Sequence, residues 1–233
     1  KGDILSEVVN KSIFEDFLNK CKEFWIKKKL NSAKKNKFYS NCMNFYKDKT
    51  FSRVELFYKN FKKSDNAEFV NENKMPSLNF LLNEIDWNWV SKGVAGRYHG
   101  DFHFENILYS KKKQTFTFLD WRQDFEGDLL IGDVYYDLAK LKHGLIVNHG
   151  IIANNKYKAS WDGNEIYYKF QRKKNLVECE DRLNSWIEEN KYDVRKVDLL
   201  TGIIYLNIAA LHHYPYSILL YGLGKKILNE ELK

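Results

Sequence analysis

Residues 98–120 read YHGDFHFENILYSKKKQTFTFLD, and this stretch decides how the rest of the chain is read. It divides into an irregular loop, a short apolar run from Asn106 to Tyr109, a lysine-rich turn at Ser110–Gln114, and a second apolar run, Thr115–Leu119, ending at Asp120. Two β-type runs joined by a polar turn predict a hairpin. A hairpin brings the start of its first strand beside the end of its second, so Asn106 and Asp120 are expected side by side, two hard oxygen donors on one pocket. Such donors suit Mg²⁺, which keeps several waters and takes further oxygens from phosphate. Asp101, five positions before Asn106, lies on the loop and is free to receive a hydroxyl proton. Base, metal ligand and metal ligand in that order is the arrangement of a phosphoryl-transfer loop. The plainer alternative makes Asp101 and Asn106 turn residues and Asp120 a strand-end cap.

On either side of this stretch the pattern is helical. Ile13, Phe14, Phe17, Leu18, Cys21, Phe24 and Trp25 recur at three and four over residues 12–28, with Ser12 and Glu15 as a capping-box pair. Lys27–Lys37 reads as a loop or solvated helix end. Thr50 is the expected N-cap of a second helix carrying Val54, Leu56, Phe57 and Phe61. Lys62–Asn73 reads as a polar loop, and Pro76–Ser77 opens a third helix running to about Trp89. Arg97–His99 is a candidate edge strand. Further helices are expected over Asp133–Leu145, Asp181–Glu189, Val197–Leu211 and Ser217–Leu232. Asn148–Gln171 is aromatic and polar and follows neither period.

The chain has 233 residues, 44% of them apolar and 16% aromatic, which excludes a disordered chain, a collagen-like repeat or a disulfide-stapled miniprotein. The formal charge is 38 − 31 = +7. Its lysines are scattered at 27–29, 34–37, 62–63, 111–113 and 173–174 with few arginines, so solvated faces are expected rather than a nucleic-acid surface. Three cysteines, far apart and without metal-ligand spacing, are expected as reduced thiols in a cytoplasmic protein. Leu199–Gly224 carries no Lys, Arg, Asp or Glu, but Asn207, His212, His213 and Pro215 in its middle argue for two buried helices rather than a membrane span.

HGDFHFENIL, His99 to Leu108, resembles the catalytic loop of the aminoglycoside phosphotransferase and choline kinase superfamily, with Asp120 at the position of its metal-binding aspartate. The resemblance continues through DWRQDFEGDLLIGDVYYDLAKLKHGL, Asp120 to Leu145. Gly132–His143 is similar to the Gly-Asp-x-x-Tyr-Asp-Leu-Ala-Lys-Leu-x-His element of kinases from bacterial capsule and surface-polysaccharide loci. FYKDKTFSRVELF at 45–57 and LHHYPY at 211–216 also resemble that branch. Trp121 and Gln123 depart from it, standing where the branch has Pro and Gly.

The resemblance implies a mainly α fold with a small β-hairpin, the C-terminal lobe of a protein-kinase-like molecule, as one domain over residues 1–233. It implies Asp101 as the base or hydroxyl-orienting carboxylate, Asn106 and Asp120 as Mg²⁺ ligands, and His99 and Asp137 as structural supports of the loop. Arg122 contacts phosphate or substrate, or else salt-bridges a core carboxylate such as Asp133. His103, Trp121, Tyr136 and His212 are further substrate-side candidates, each with a packing role as the alternative. Tyr135, Tyr136, Trp121, Trp161 and Tyr168 could form an aromatic box for a quaternary ammonium.

The implied activity is ATP-dependent phosphorylation of a hydroxyl on a sugar, an amino alcohol such as choline, or a polyol. The alternative is a catalytically inactive kinase-like binding module. No glycine-rich strand–turn–strand precedes the helices, and KGDILSE at 1–7 resembles the segment after the hinge between kinase lobes. The N-terminal β lobe is therefore expected upstream, in some relatives behind a nucleotidyltransferase domain, and the isolated chain is expected to be inactive without it.

Overall fold

The computed structural model describes residues 2–233; Lys1 lies outside the described residues. The chain forms two compact units. The first comprises the stretch to Asn41, Gly93–His149 and Arg172–Val197; the second comprises Cys42–Lys92, Gly150–Gln171 and Asp198–Lys233.

The first unit is built on the helix Lys11–Phe24, which buries Phe14, Phe17, Leu18, Cys21 and Phe24 on one side. Its cap is Asn10, whose Oδ1 accepts from the Ile13 N–H at 3.0 Å, not the expected Ser12–Glu15 box. Glu15 instead binds Arg182 from the helix Lys174–Glu189. That helix begins before the expected Asp181, because Leu176 and Cys179 already belong to its buried face. The hairpin pairs Ile107–Ser110 with Thr115–Phe118, antiparallel, with Ile107 opposite Phe118. Asp3–Ile4 adds a third strand on the other edge, Asp3 opposite Tyr109.

Aromatic rings join these parts. Phe17 lies 5.4–6.0 Å from Phe14, Phe102, Phe104 and Phe116, and Phe24 lies 5.2–5.8 Å from Phe102, Phe118 and Trp121. Ring pairs at such spacings add to simple area burial. They seat the hairpin and the 99–106 loop on the first helix. The edge strand expected at 97–99 lies at Ala95–Gly96, paired with Gly132–Asp133. Asp133 then caps the helix Val134–Ile146, its Oδ1 accepting from Tyr135 N–H at 3.1 Å and from Val94 N–H at 2.8 Å.

The second unit corrects three expectations and fills one unassigned stretch. Residues 62–73, read as a loop, contain the strand Glu68–Val70; the unassigned 148–171 contains the hairpin Tyr157–Asp162 with Glu165–Phe170. With Asn73–Met75 they make a four-stranded sheet in which Glu68–Val70 runs parallel to Glu165–Phe170. A three-residue strand has almost no local signature; this one pairs antiparallel with Asn73–Met75 on one edge and parallel with Glu165–Phe170, nearly a hundred positions away, on the other. Thr50 is not a cap. It is buried within a helical path of Ser32–Met43, a π turn Asn44–Asp48 and Lys49–Phe61. The helix expected from Ser77 to Trp89 breaks at Ile85, where Asp86 caps a new start, Trp87–Ser91.

The core of this unit stacks Phe57 on Tyr221, ring centres 4.7 Å apart, and Trp161 on the same tyrosine. Beside them the fully buried Lys225 ammonium is paired with Glu68, and Tyr221 donates to the same carboxylate at 3.3 Å. The Tyr221 and Tyr58 hydroxyls meet at 2.9 Å, and Tyr58 donates to Asp65. Cys21, Cys42 and Cys179 are buried thiols, none of them in a disulfide. Among the described residues no helix is long and apolar enough to cross a membrane; Leu199–Gly224 falls on two helices, Val194–Ala209 and Tyr216–Glu231.

Candidate active site

The loop 99–106 is held from below by one carboxylate. Asp137, fully buried on the helix Val134–Ile146, accepts from His99 N–H at 2.7 Å, Gly100 N–H at 2.8 Å and the Trp25 indole N–H at 3.0 Å. Burial pushes the Asp137 carboxyl up to about 7, against the three donors that pull it down. Gly100 takes φ +84°, a left-handed turn that favours glycine, and a Cβ there would fall 2.5 Å from that of Arg122. His99 is fully buried, and burial keeps its ring below the usual histidine range. Its Nδ1 accepts from Asp101 N–H at 3.2 Å, while Nε2 faces the Leu119 carbonyl without closing a hydrogen bond to it.

Above this support lies a charged cluster. The Asp101 carboxylate has Lys140 Nζ at 2.6 Å on Oδ1 and His103 Nε2 at 3.4 Å on Oδ2. Burial pushes its pKa up, but the His103 hydrogen bond and the Lys140 ammonium outweigh it and hold Asp101 well below the usual carboxylate range. His103 is shared with Glu105 at 3.0 Å; burial pulls the imidazole down, and the two carboxylates raise it above its ordinary value. Glu105 is fixed in turn by Asn148 Nδ2 at 2.6 Å and the His149 N–H at 3.2 Å. Asp101 keeps 43% of its side chain exposed, so the carboxylate, though both its oxygens have partners, can be reached from solvent.

Asn106 closes the loop. Its Nδ2 donates to the Asp101 carbonyl at 3.0 Å and to Asp101 Oδ2 at 3.1 Å. With the amide nitrogen thus occupied, Oδ1 is turned the other way, the orientation a cation ligand needs. The Asn106 carbonyl accepts from Leu119 N–H at 2.8 Å, which sets Asn106 and Asp120 at the same open end of the ladder. Asp120 is exposed, has φ +53°, and no hydrogen-bond partner among the described residues reaches its carboxylate. A non-glycine residue in this region is strained, and such strain clusters at functional sites. An amide oxygen and a carboxylate are hard oxygen donors, the type of ligand that Mg²⁺ takes in small number from protein.

The remaining candidates take different places. Arg122 N–H donates to the His99 carbonyl at 2.9 Å, and its side chain is exposed. Trp121 folds back, its indole donating to the Phe118 carbonyl at 3.0 Å and its ring lying 5.1 Å from His99, with the Arg97 guanidinium over its face. Tyr136 is half-buried in the first turn of the Val134–Ile146 helix. His212 belongs to the second unit, exposed and packed on Tyr216. Of the five rings considered for an aromatic box, Trp121, Tyr135 and Tyr136 belong to the first unit, where the Tyr135 hydroxyl accepts from Asp193 N–H; Trp161 and Tyr168 belong to the second, where Trp161 stacks on Tyr221 and Tyr168 is buried.

Sequence reasoning missed Lys140 and Glu105. The available signal was a lysine on an otherwise apolar helix face, three positions after Asp137.

The family model described as "Phosphotransferase enzyme family" matches residues 56–165, a span that contains the loop, Asp120, Asp137 and Lys140. The match supports a kinase-like phosphotransferase. No match is found among curated proteins, nor among solved structures.

Proposed function

We propose that this chain carries the catalytic corner of an ATP-dependent kinase that phosphorylates a hydroxyl of a small molecule: a sugar, an amino alcohol or a polyol. The observation that carries this reading is the Asp101–Asn106 pair. A carboxylate within reach of solvent is bonded to an amide whose oxygen is turned outward, at the same ladder end as an unpartnered Asp120. Asn106 Oδ1 and the Asp120 carboxylate would hold Mg²⁺, which neutralises charge on the nucleotide phosphates.

Asp101, held far below the ordinary carboxylate range, is a weak base. Its work is to accept a hydrogen bond from the acceptor hydroxyl and aim that oxygen at the γ-phosphorus. As the new P–O bond forms, the β–γ bridging bond breaks and ADP leaves with its electron pair. The hydroxyl proton passes to Asp101 and on to solvent. Proton transfer late in a loose transition state suits such a base.

Arg122, exposed beside the loop, is assigned in this reading to contact phosphate, because a guanidinium binds such oxygens bidentately. In this reading a phosphate-covering β lobe upstream on the same polypeptide, with or without a nucleotidyltransferase domain before it, completes the nucleotide site. The chain by itself is then inactive, and the setting is cytoplasmic surface-polysaccharide metabolism. The rival reading, an inactive binding module, has no physical need for all three of Asp101, Asn106 and Asp120.

The test is an acceptor panel of sugars, amino alcohols and glycerol derivatives, incubated with the full-length protein, Mg²⁺ and ATP and read as phosphorylated product. Acceptor-dependent ADP release supports the proposal. Absence of transfer to every acceptor, together with no binding of Mg·ATP by calorimetry, overturns it.

A further inference from the structure

The helix Val134–Ile146 and the residues just after it meet the loop in step. Asp137 takes the backbone of His99 and Gly100; Lys140, one turn on, takes the Asp101 side chain. Gly144, the next position on that face, leaves room for His103: a Cβ on it would lie 2.9 Å from the His103 Cβ. Beyond the helix end, Asn148 takes Glu105 at 2.6 Å. Positions i, i+3 and i+7 form one stripe of a helix, so a single face addresses residues 99, 101 and 103 in order. The loop supplies no lysine or arginine of its own between Asp101 and Asn106. Phe102 and Phe104 are core anchors, His103 and Glu105 bind each other, and the strong cation comes from the helix.

We infer that Lys140 is a positioning residue for Asp101: its buried ammonium, on Oδ1, fixes the rotamer of that carboxylate, whose Oδ2 is met by His103 and Asn106. This rests on the proposed function above. The asymmetry of exposure supports it. Lys140 is 9% exposed and Asp101 43%, so the lysine is the fixed partner and the aspartate faces outward. An ammonium so far out of water needs its counter-charge, which makes the pair hard to separate. A reacting group misplaced by about 1 Å loses on the order of a hundredfold in rate, and Lys140 is the contact that prevents such a shift.

Two double-mutant cycles in the full-length protein decide this, using Lys140→Met, Asp101→Asn and the double variant. The first reads urea unfolding midpoints. Coupling between the two positions is expected, with Lys140→Met costing less in the Asp101→Asn background; additive midpoints overturn the pair. The second reads ADP release from Mg·ATP with the acceptor panel. Lys140→Met is expected to lower kcat about a hundredfold with KM for Mg·ATP within about threefold. It should add nothing to Asp101→Asn, and Lys140→Arg should restore part of the loss. Wild-type turnover in Lys140→Met, or a loss additive with Asp101→Asn and proportional to the drop in stability, overturns the inference. If the unmutated protein releases no ADP, the proposed function falls, and the unfolding cycle still decides whether Lys140 holds Asp101.

Discussion

Asp101 sits between the Lys140 ammonium and the His103 imidazole, and that fixes what its replacement should do. Asparagine keeps the shape but loses the charge that Lys140 and His103 are arranged around. In the full-length enzyme Asp101→Asn is expected to lower kcat by about 10²–10⁴-fold, the usual share of a positioned acid–base group, with KM for ATP nearly unchanged. Turnover near that of the wild type would remove Asp101 from the chemistry. Asn106 and Asp120 should behave differently. Asn106→Ala and Asp120→Asn each take away one oxygen donor, so the Mg²⁺ concentration for half-maximal activity should rise at least tenfold, and excess Mg²⁺ should recover part of the rate. A magnesium titration that does not move would place the cation elsewhere. These three residues were legible in the sequence because their spacing along a loop and hairpin is local. Lys140 was not, since its importance arises only when a helix some forty positions later is laid against the loop.

At the level of elements, the Val134–Ile146 helix and the 99–106 loop meet through Asp137. Its two oxygens serve three N–H donors, and an asparagine would turn an NH₂ toward at least one of them. Leaving a buried donor unsatisfied costs about 1–3 kcal/mol, so Asp137→Asn should lower unfolding stability by about that much. The pH dependence has a definite sign. The carboxyl is raised in the folded state to about 7 from an ordinary 3.8. Between these values the folded protein holds a proton that the unfolded chain releases. Asp137 therefore contributes a loss of stability as pH rises from about 4 to 7, complete above it. That part of the slope should vanish in Asp137→Asn; parallel profiles for the two proteins would show that Asp137 is ionised throughout.

Elements with a strong internal period were readable: the apolar stripe of Lys11–Phe24 and the alternation of the Ile107–Phe118 hairpin. The strand Glu68–Val70 was not. It has three residues and a short polar partner in Asn73–Met75, its second partner is distant in sequence, and its buried glutamate reads as a surface residue until Lys225 is placed against it. The stretch 27–37, read as a loop or a solvated helix end, holds both: the exposed lysines at 34, 35 and 37 lie on a helix that starts at Ser32, as suits a good helix former.

On the scale of the molecule, the two compact units are stabilised by different chemistry. The first rests on an aromatic cluster around Phe17 and Phe24; the second includes the ion pair Lys225–Glu68 among stacked tyrosines. Removing one partner of such a pair costs about 3–5 kcal/mol, because the other charge stays buried. Lys225→Met should therefore destabilise strongly in chemical unfolding, and Lys225→Met with Glu68→Gln should recover most of the loss. Equal stability of the single and double variants would show that the pair is not coupled. Such a defect should appear first as a separate, earlier transition if the units unfold independently.

The cysteines make that separable. Burial raises the Cys21 thiol far above its usual range and lifts Cys179 to about 12, so neither presents a thiolate at neutral pH while the fold is closed. Cys21 and Cys179 belong to the first unit and Cys42 to the second. The chain thus carries silent chemical clocks in both halves. An alkylating reagent added to the native protein should label each sulfur only as fast as its own surroundings open, and the order in which the three acquire mass records which half breathes first.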